Sequence, residues 1–319
     1  MKYTTLGRTG LKVSVAGLGC GGFSAIGKRV GKPESDSVDL VRMALDRGVN
    51  FIDTSANYGT EKIVGKAIAD RRHELVISTK ASIGRGDDLL SPEDVIASLD
   101  NSLVDLKTDC IDIFHLHGVA PDAYIHAVDV IVEPLIRERN KGKFKHLGMT
   151  EVPPHDTHHE SLEQAIHHDS FDVIMVAYHM LHQSARRSIF PVTREKGIGV
   201  LDMFAVRLLF SEQGRLKRIV DQLVDDGQLP DELKGQDNPL GFLIHERGAS
   251  SVIDAAYRYC RHTAGIDVVL FGTGNPDHLN ANIDSILSPP LPGTDVQKIE
   301  SIFGKLIDVG LDAPGNVNR

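Results

Sequence analysis

The feature that most constrains this chain is a regular alternation of short apolar runs with longer amphipathic stretches. The runs are Val15–Leu18, Asn50–Ile52, Leu75–Ser78, Ile111–Phe114, Lys145–Gly148, Asp172–Val176, Ile198–Leu201 and Asp267–Phe271. Strands that alternate with helices are parallel, because each crossover helix returns the chain to the same sheet edge. Eight such units predict an α/β fold of the (β/α)8 TIM-barrel type rather than an open sheet. Ahead of them, Tyr3 to Ser14 reads as an N-terminal β-hairpin around Leu6-Gly7-Arg8-Thr9-Gly10. Between strands seven and eight lies a long loop/helix insertion, Met203 to Ser250. It holds an amphipathic piece, Glu212 to Asp225, and a polar loop, Asp226 to Asn238. No linker rich in Pro, Gly or Ser interrupts the pattern, so residues 1–319 are expected to form one barrel domain.

The helical signals agree. Asp36 to Arg47 places Val38, Val41, Ala44 and Leu45 on one face, and Gly48 ends it. Ser91-Pro92-Glu93-Asp94 combines an N-cap, a first-turn proline and two acids that suit the helix dipole. Val95, Ile96, Leu99, Leu103 and Leu106 follow at helical spacing. Asn275-Pro276-Asp277 opens the last helix of the alternation in the same way.

Composition removes several functions. The net charge of −9 argues against a nucleic-acid partner, which needs a basic face for phosphates. No run approaches the roughly 18 apolar residues of a membrane span. Met1 to Gly10 lacks the apolar core of a signal peptide. Cys20, Cys110 and Cys260 are odd in number and widely spaced, which fits a reducing, cytoplasmic setting.

Working residues of such a barrel sit just past the C-terminal ends of its strands. That rule selects Asp53 and Tyr58 after strand two, Lys80 at the end of strand three and His117 after strand four. A phenol with a pKa near 10 is a weak acid at neutral pH. A buried ammonium beside it favours the phenolate and lowers that value. Lys80 is placed to do this for Tyr58, Asp53 to keep Lys80 charged, and His117 to orient a carbonyl. The group reads as a general acid tuned towards neutrality.

Gly48 to Gly59, with its sequence GVNFIDTSANYG, resembles the signature of the aldo-keto reductases. The opening Leu6 to Ser14, the segment Val76 to Lys80 and the strand Asp109 to His117 are similar to that family too. The resemblance implies a catalytic tetrad of Asp53, Tyr58, Lys80 and His117. It also implies that NADP or NAD lies extended over the barrel mouth and exchanges a hydride with a small carbonyl compound or sugar. The cofactor residues it implies are Cys20, Gly21 and Asp53 near the nicotinamide ribose, with Thr150, Glu151, Met203 and Phe204 around the nicotinamide. Gly272, Thr273, Gly274, His278 and Asn282 would hold the adenosine phosphate.

Several positions depart from the family. The stretch 272–282 carries no Lys or Arg for a 2′-phosphate, which leaves NAD as open as NADP. The usual Ser-Asn pair after strand five is Thr150-Glu151, the usual Gln of strand six is Met175, and the usual stacking ring is Met203. Two rivals stand beside the reductase reading. His115, His117, His179 and His182 suit a metal-dependent barrel hydrolase, although no metal site is expected under the reductase reading. A non-catalytic binding subunit is the other. Gly17-Leu18-Gly19-Cys20-Gly21-Gly22 matches a dinucleotide fingerprint, but no helix begins behind it. The histidines from His155 to His168 read as a solvated helix region. Phe204 and Arg207 are candidates to line the substrate pocket, together with His117 to Tyr124. With no Trp and 5% aromatics, a small polar carbonyl or sugar is favoured over a large apolar substrate.

Overall fold

The computed structural model describes residues 1–312. Its hairpin pairs β1 (Tyr3–Thr5) with β2 (Lys12–Ser14), antiparallel, Tyr3 opposite Ser14. Eight parallel strands follow: β3 (Ala16–Gly19), β4 (Phe51–Asp53), β5 (Val76–Ser82), β6 (Ile111–Val119), β7 (Phe144–Glu151), β8 (Val173–Ala177), β9 (Gly199–Met203) and β10 (Val268–Phe271). They close into a barrel in chain order, β10 pairing with both β9 and β3.

The barrel has an inner and an outer core. Phe51, Val76, Ile113, Val173, Leu201 and Val268 pack inside, together with Leu6 and Val13 of the hairpin segment. The hairpin therefore plugs the bottom of the barrel, and Gly7 meets the backbone of Gly199 too closely for any Cβ. The alternate residues Ile52, Ile77, Phe114 and Ile174 face outward against the helices. Because side chains alternate along a strand, the inner row continues from Phe51 to Asp53, from Val76 through Ser78 to Lys80, and from Ile113 through His115 to His117. That continuation carries the polar residues to the C-terminal mouth.

The expected helices form with small shifts. Glu34–Asp46 buries Leu40, Val41, Ala44 and Leu45, and Gly48 follows at φ +85°. Pro92–Leu106 opens with a reciprocal capping box between Ser91 and Asp94. Asn275 caps Pro276–Leu287 through the backbone N–H groups of Asp277 and His278. The insertion after β9 contains Leu208–Ser211 and Arg215–Asp225, ahead of the crossover helix Val252–His262. A further helix, Gly293–Phe303, lies beyond the alternation. No helix among the described residues is long and apolar enough to cross a membrane.

Candidate active site

The site is built from the ends of β4, β5 and β6. Asp53 closes β4, in register with Ser78 of β5, whose hydroxyl donates to Asp53 Oδ1 at 2.8 Å. The Lys80 ammonium donates to Asp53 Oδ2 at 2.6 Å and to the Thr54 carbonyl at 2.7 Å, and Lys80 is 0% exposed. A charge this deep survives only when paired and hydrogen-bonded, as here. The chain then turns through Ala56–Tyr58, begun by Ser55, whose side chain accepts from the Asn57 N–H. This turn lays the Tyr58 ring over the pair, with Lys80 Nζ 5.0 Å from the ring centre. Gly21 lies against the ring, where a Cβ would come within 2.5–2.7 Å of it.

His117 meets Tyr58 edge-on, its Nε2 3.5 Å from the phenolic oxygen. Its Nδ1 is 3.1 Å from Ser55 Oγ. Burial, then the Lys80 charge, push the imidazole down to about 3, so the ring is neutral and carries one N–H. The Ser55 hydroxyl also donates to the Lys80 carbonyl at 3.2 Å, so the tautomer that places the hydrogen on Nε2, facing the phenolic oxygen, is the one in which that hydroxyl turns to Nδ1 instead.

The ionisations correct one expectation. Burial pushes the Tyr58 phenol up, and the opposing pull of Lys80 is partly cancelled by Asp53. The phenol therefore sits above its usual value, not near neutrality. Lys80 shares its charge with Asp53, and burial disfavours the phenolate. Burial also pushes the Lys80 ammonium down, but Asp53 and Tyr58 more than offset it and keep Lys80 charged. The arrangement holds a protonated phenol beside a fixed cation, which is a proton donor to an oxygen that gains negative charge.

A groove of about 1290 Å³ runs from this centre across the barrel mouth. Gly19, Gly21, Asp53, Tyr58, Met175, Met203, Phe204 and Arg207 line one end. Gly272, Thr273, Gly274, Asn275, His278 and Asn282 line the other. Glycines at both ends, Gly19 and Gly21 at one and Gly272 and Gly274 at the other, leave backbone among the side chains of the lining, where an extended ligand can lie close. These residues fit a dinucleotide. Lys32, from the loop after β3, lines the far end as well, and that loop packs on Gly274, where a Cβ would meet the backbone of Gly27 at 2.7 Å. A cation thus reaches this end from a distant part of the chain. At the helix start itself, the N–H groups of Asp277 and His278 are already taken by the Asn275 side chain.

Three expected cofactor residues do not reach the groove lining. Cys20 is buried, its thiol directed at the Leu18 carbonyl. Thr150 accepts from the Gly118 N–H at 2.7 Å. Glu151 is locked between the Ala177 N–H and His159 Nδ1, both at 2.7 Å. Burial of these polar groups uses up their hydrogen-bonding capacity elsewhere. His159 is fully buried, bonded also to Ser184 at 2.8 Å, so the expected solvated histidine region does not hold for it. The hydrolase rival finds no support: no group of three or more His, Cys, Asp or Glu among the described residues could hold a metal ion. His115 and His117 share the inner row of β6, while His179 and His182 pack on each other elsewhere. Ser55, Ser78, Phe23 and Lys32 went unidentified by sequence reasoning. Ser55 lay inside the signature and Ser78 inside the similar segment Val76 to Lys80; Phe23 and Lys32 carry no local signal.

The aldo-keto reductase family model matches residues 17–303. The chain belongs to the aldo-keto reductase family. Membership places it among oxidoreductases that use a nicotinamide dinucleotide and act on small-molecule carbonyl compounds. It is similar to aldo-keto reductase YhdN of Bacillus subtilis, 27% identical over 96% of this chain and 95% of that one. It is also similar to L-galactose dehydrogenase of Arabidopsis thaliana, 32% identical over 67% of this chain and 68% of that one. Among solved structures, the holo form of aldo-keto reductase AKR11C1 from Bacillus halodurans superposes with a TM-score of 0.72 at 22% identity. That match covers 98% of this chain and all of the other, and shows the shared aldo-keto reductase fold.

Proposed function

We propose that this aldo-keto reductase interconverts a small polar carbonyl compound, of the aldehyde or sugar class, with its alcohol, and that Tyr58 handles the proton. The observation that carries the reading is the buried Asp53–Lys80 pair beneath the Tyr58 ring, with His117 Nε2 facing the same phenolic oxygen. When bound, NADP or NAD supplies or accepts the hydride. Met203, Gly21 and Phe204 would border its reactive ring, and Gly272, Thr273, Gly274, His278 and Asn282 its adenosine end.

The chain's own groups then divide the remaining work. Tyr58 and His117 hold the substrate oxygen from two sides. As that oxygen gains electrons it becomes a strong base, and Tyr58 gives up its proton to it. Lys80 stabilises the phenolate left behind, and Asp53 and Ser78 keep Lys80 in place. In the reverse direction the phenolate takes the alcohol proton, which the raised Tyr58 value makes more demanding and more dependent on alkaline pH. Likeness to an L-galactose dehydrogenase supports a sugar as substrate. The complete tetrad favours catalysis over a purely binding role.

Tyr58→Phe tests the reading. It should lower kcat about a thousandfold, within the range of lost general acid catalysis. Dinucleotide affinity should stay within about twofold. Turnover at the wild-type rate in this variant would refute the assignment.

A further inference from the structure

Arg207 is a charge without a hydrogen-bond partner among the described residues, in a place where a charge is expensive. It is 7% exposed, yet its Nε and Nη2 make no hydrogen bond among the described residues. Its guanidinium lies against two rings, 3.7 Å from the centre of Phe204 and 4.7 Å from that of Phe23. The nearest acid, Asp312, is 3.8 Å away, beyond hydrogen-bond reach, and is shared with Arg215 at 3.5 Å. Arg215 has a second partner in Glu212 at 2.9 Å. Asp312 Oδ2 has no hydrogen-bond partner either. Burial pulls Arg207 down to about 10; Asp312 opposes it and Arg215 adds to it, so the one acid compensates the charge only in part.

The rings explain how the side chain is held. Two rings within cation–π distance hold a guanidinium in place without using its N–H groups, which stay free to donate along its edge. Phe204 takes a positive φ of 79°, an unusual conformation for a phenylalanine, at the position that brings its ring to Arg207. Phe23, Phe204 and Arg207 line the same groove as Tyr58, and Arg207 is near enough that its charge and that of a Tyr58 phenolate interact.

We infer that Arg207 is an anion-binding residue of the substrate pocket, and that the substrates of this reductase carry an acidic group, a carboxylate in first place, beside the reacting carbonyl. A planar edge with parallel N–H bonds matches a carboxylate fork. The inference rests on the hydride-transfer reading and narrows it from small polar carbonyls to anionic ones.

The test compares two matched pairs: succinic semialdehyde with butanal, and 4-carboxybenzaldehyde with its methyl ester, methyl 4-formylbenzoate. Each pair presents an aldehyde with and without the negative charge. Wild-type kcat/KM should favour the charged member about ten- to a hundredfold, as expected for charge-assisted hydrogen bonds. Arg207→Gln should bring that ratio near unity, and Arg207→Lys should restore part of it. Dinucleotide Kd is measured on the same proteins, and thermal unfolding confirms that each is folded. A wild-type ratio near unity, or a ratio unmoved in a folded Arg207→Gln, overturns the inference while leaving the reductase reading intact. So does a tenfold loss of dinucleotide affinity with the acid preference retained, because the guanidinium would then serve a cofactor phosphate. Benzoate binding by calorimetry gives a readout free of turnover. Benzoate bound by the wild type and lost in Arg207→Gln upholds the anion site even if no aldehyde is reduced, an outcome that would sink only the catalytic reading. No benzoate binding to the wild type and no acid preference overturns it.

Discussion

Replacing Lys80 by Met probes the heart of the site. The ammonium and Asp53 are both buried, bonded at 2.6 Å, with 0% and 5% side-chain exposure, so solvent screening does not discount their interaction. Removing one partner of such a pair leaves the other charge uncompensated and costs roughly 3–5 kcal/mol. Taking 4 kcal/mol as a mid-value, and about 2–4 °C per kcal/mol for a large domain, the melting temperature should fall by roughly 8–16 °C. The loss has a pH signature. Burial already pushes the Asp53 carboxyl up against the pull of Lys80. Without Lys80 the folded-state value rises further above the unfolded one, so the folded protein binds the extra proton. Stability of the variant should then fall as pH rises from about 4 through that raised value, because the carboxylate must ionise in a buried site. Below about pH 4 the penalty shrinks, since Asp53 is protonated in both states. The double variant Asp53→Asn, Lys80→Met removes both charges and should be more stable than Lys80→Met alone. Thermal unfolding of the three proteins from pH 4 to 9, followed by circular dichroism, measures all of this. A melting temperature within about 2 °C of wild type for Lys80→Met, or a double variant less stable than that single one, would refute the reasoning.

Other outcomes follow from the same geometry. Gly21→Ala places a methyl group within 2.5–2.7 Å of the Tyr58 ring, so the ring must shift; kcat should drop at least tenfold with dinucleotide Kd changed less, as steady-state kinetics with binding titrations will show. Lys32→Glu should weaken NADPH binding about fivefold more than NADH binding, near 1 kcal/mol for an exposed charge pair; equal effects on the two Kd values would remove Lys32 from cofactor choice. Burial depresses His117 and His179 to about 3 each. Their folded values lie below the unfolded one, so the stability they contribute is present above about pH 6.5 and is lost as pH falls towards 3. Each adds up to about 1.4 kcal/mol per pH unit over that range, which urea unfolding at several pH values would detect. The same depression means that the pH profile of kcat/KM should show no His117 ionisation between pH 5 and 8.

Much of the molecule was readable before any coordinates. The eight apolar runs became the eight barrel strands, because burying a parallel strand on both faces demands a continuous apolar segment. The runs nevertheless ended short. β5 reaches Ser82, β6 Val119 and β7 Glu151, since their upper ends carry the polar residues of the mouth, which hydropathy does not register as strand. The grouping of Asp53, Tyr58, Lys80 and His117 was legible because the barrel rule points to strand ends, and Asp53, Lys80 and His117 stand near theirs. Thr150, Glu151 and Cys20 were misplaced for the opposite reason. Which of two nearby groups takes a hydrogen bond depends on neighbours far away in the chain, and Glu151 found Ala177 and His159.

Sequence alone determined the alternation, the hairpin and the polar residues that crown the strands, all of which depend on residue type and short spacing. Only the tertiary structure decided the electrostatics. Whether Tyr58 lies above or below its usual acidity depends on how deeply it is buried and on how Asp53 divides the charge of Lys80. Whether Arg207 is solvated or stranded against Phe23 and Phe204 depends on two loops separated by some 180 residues meeting over one groove. Charge and burial are properties of an environment, and the environment here is assembled from strands that are remote in sequence.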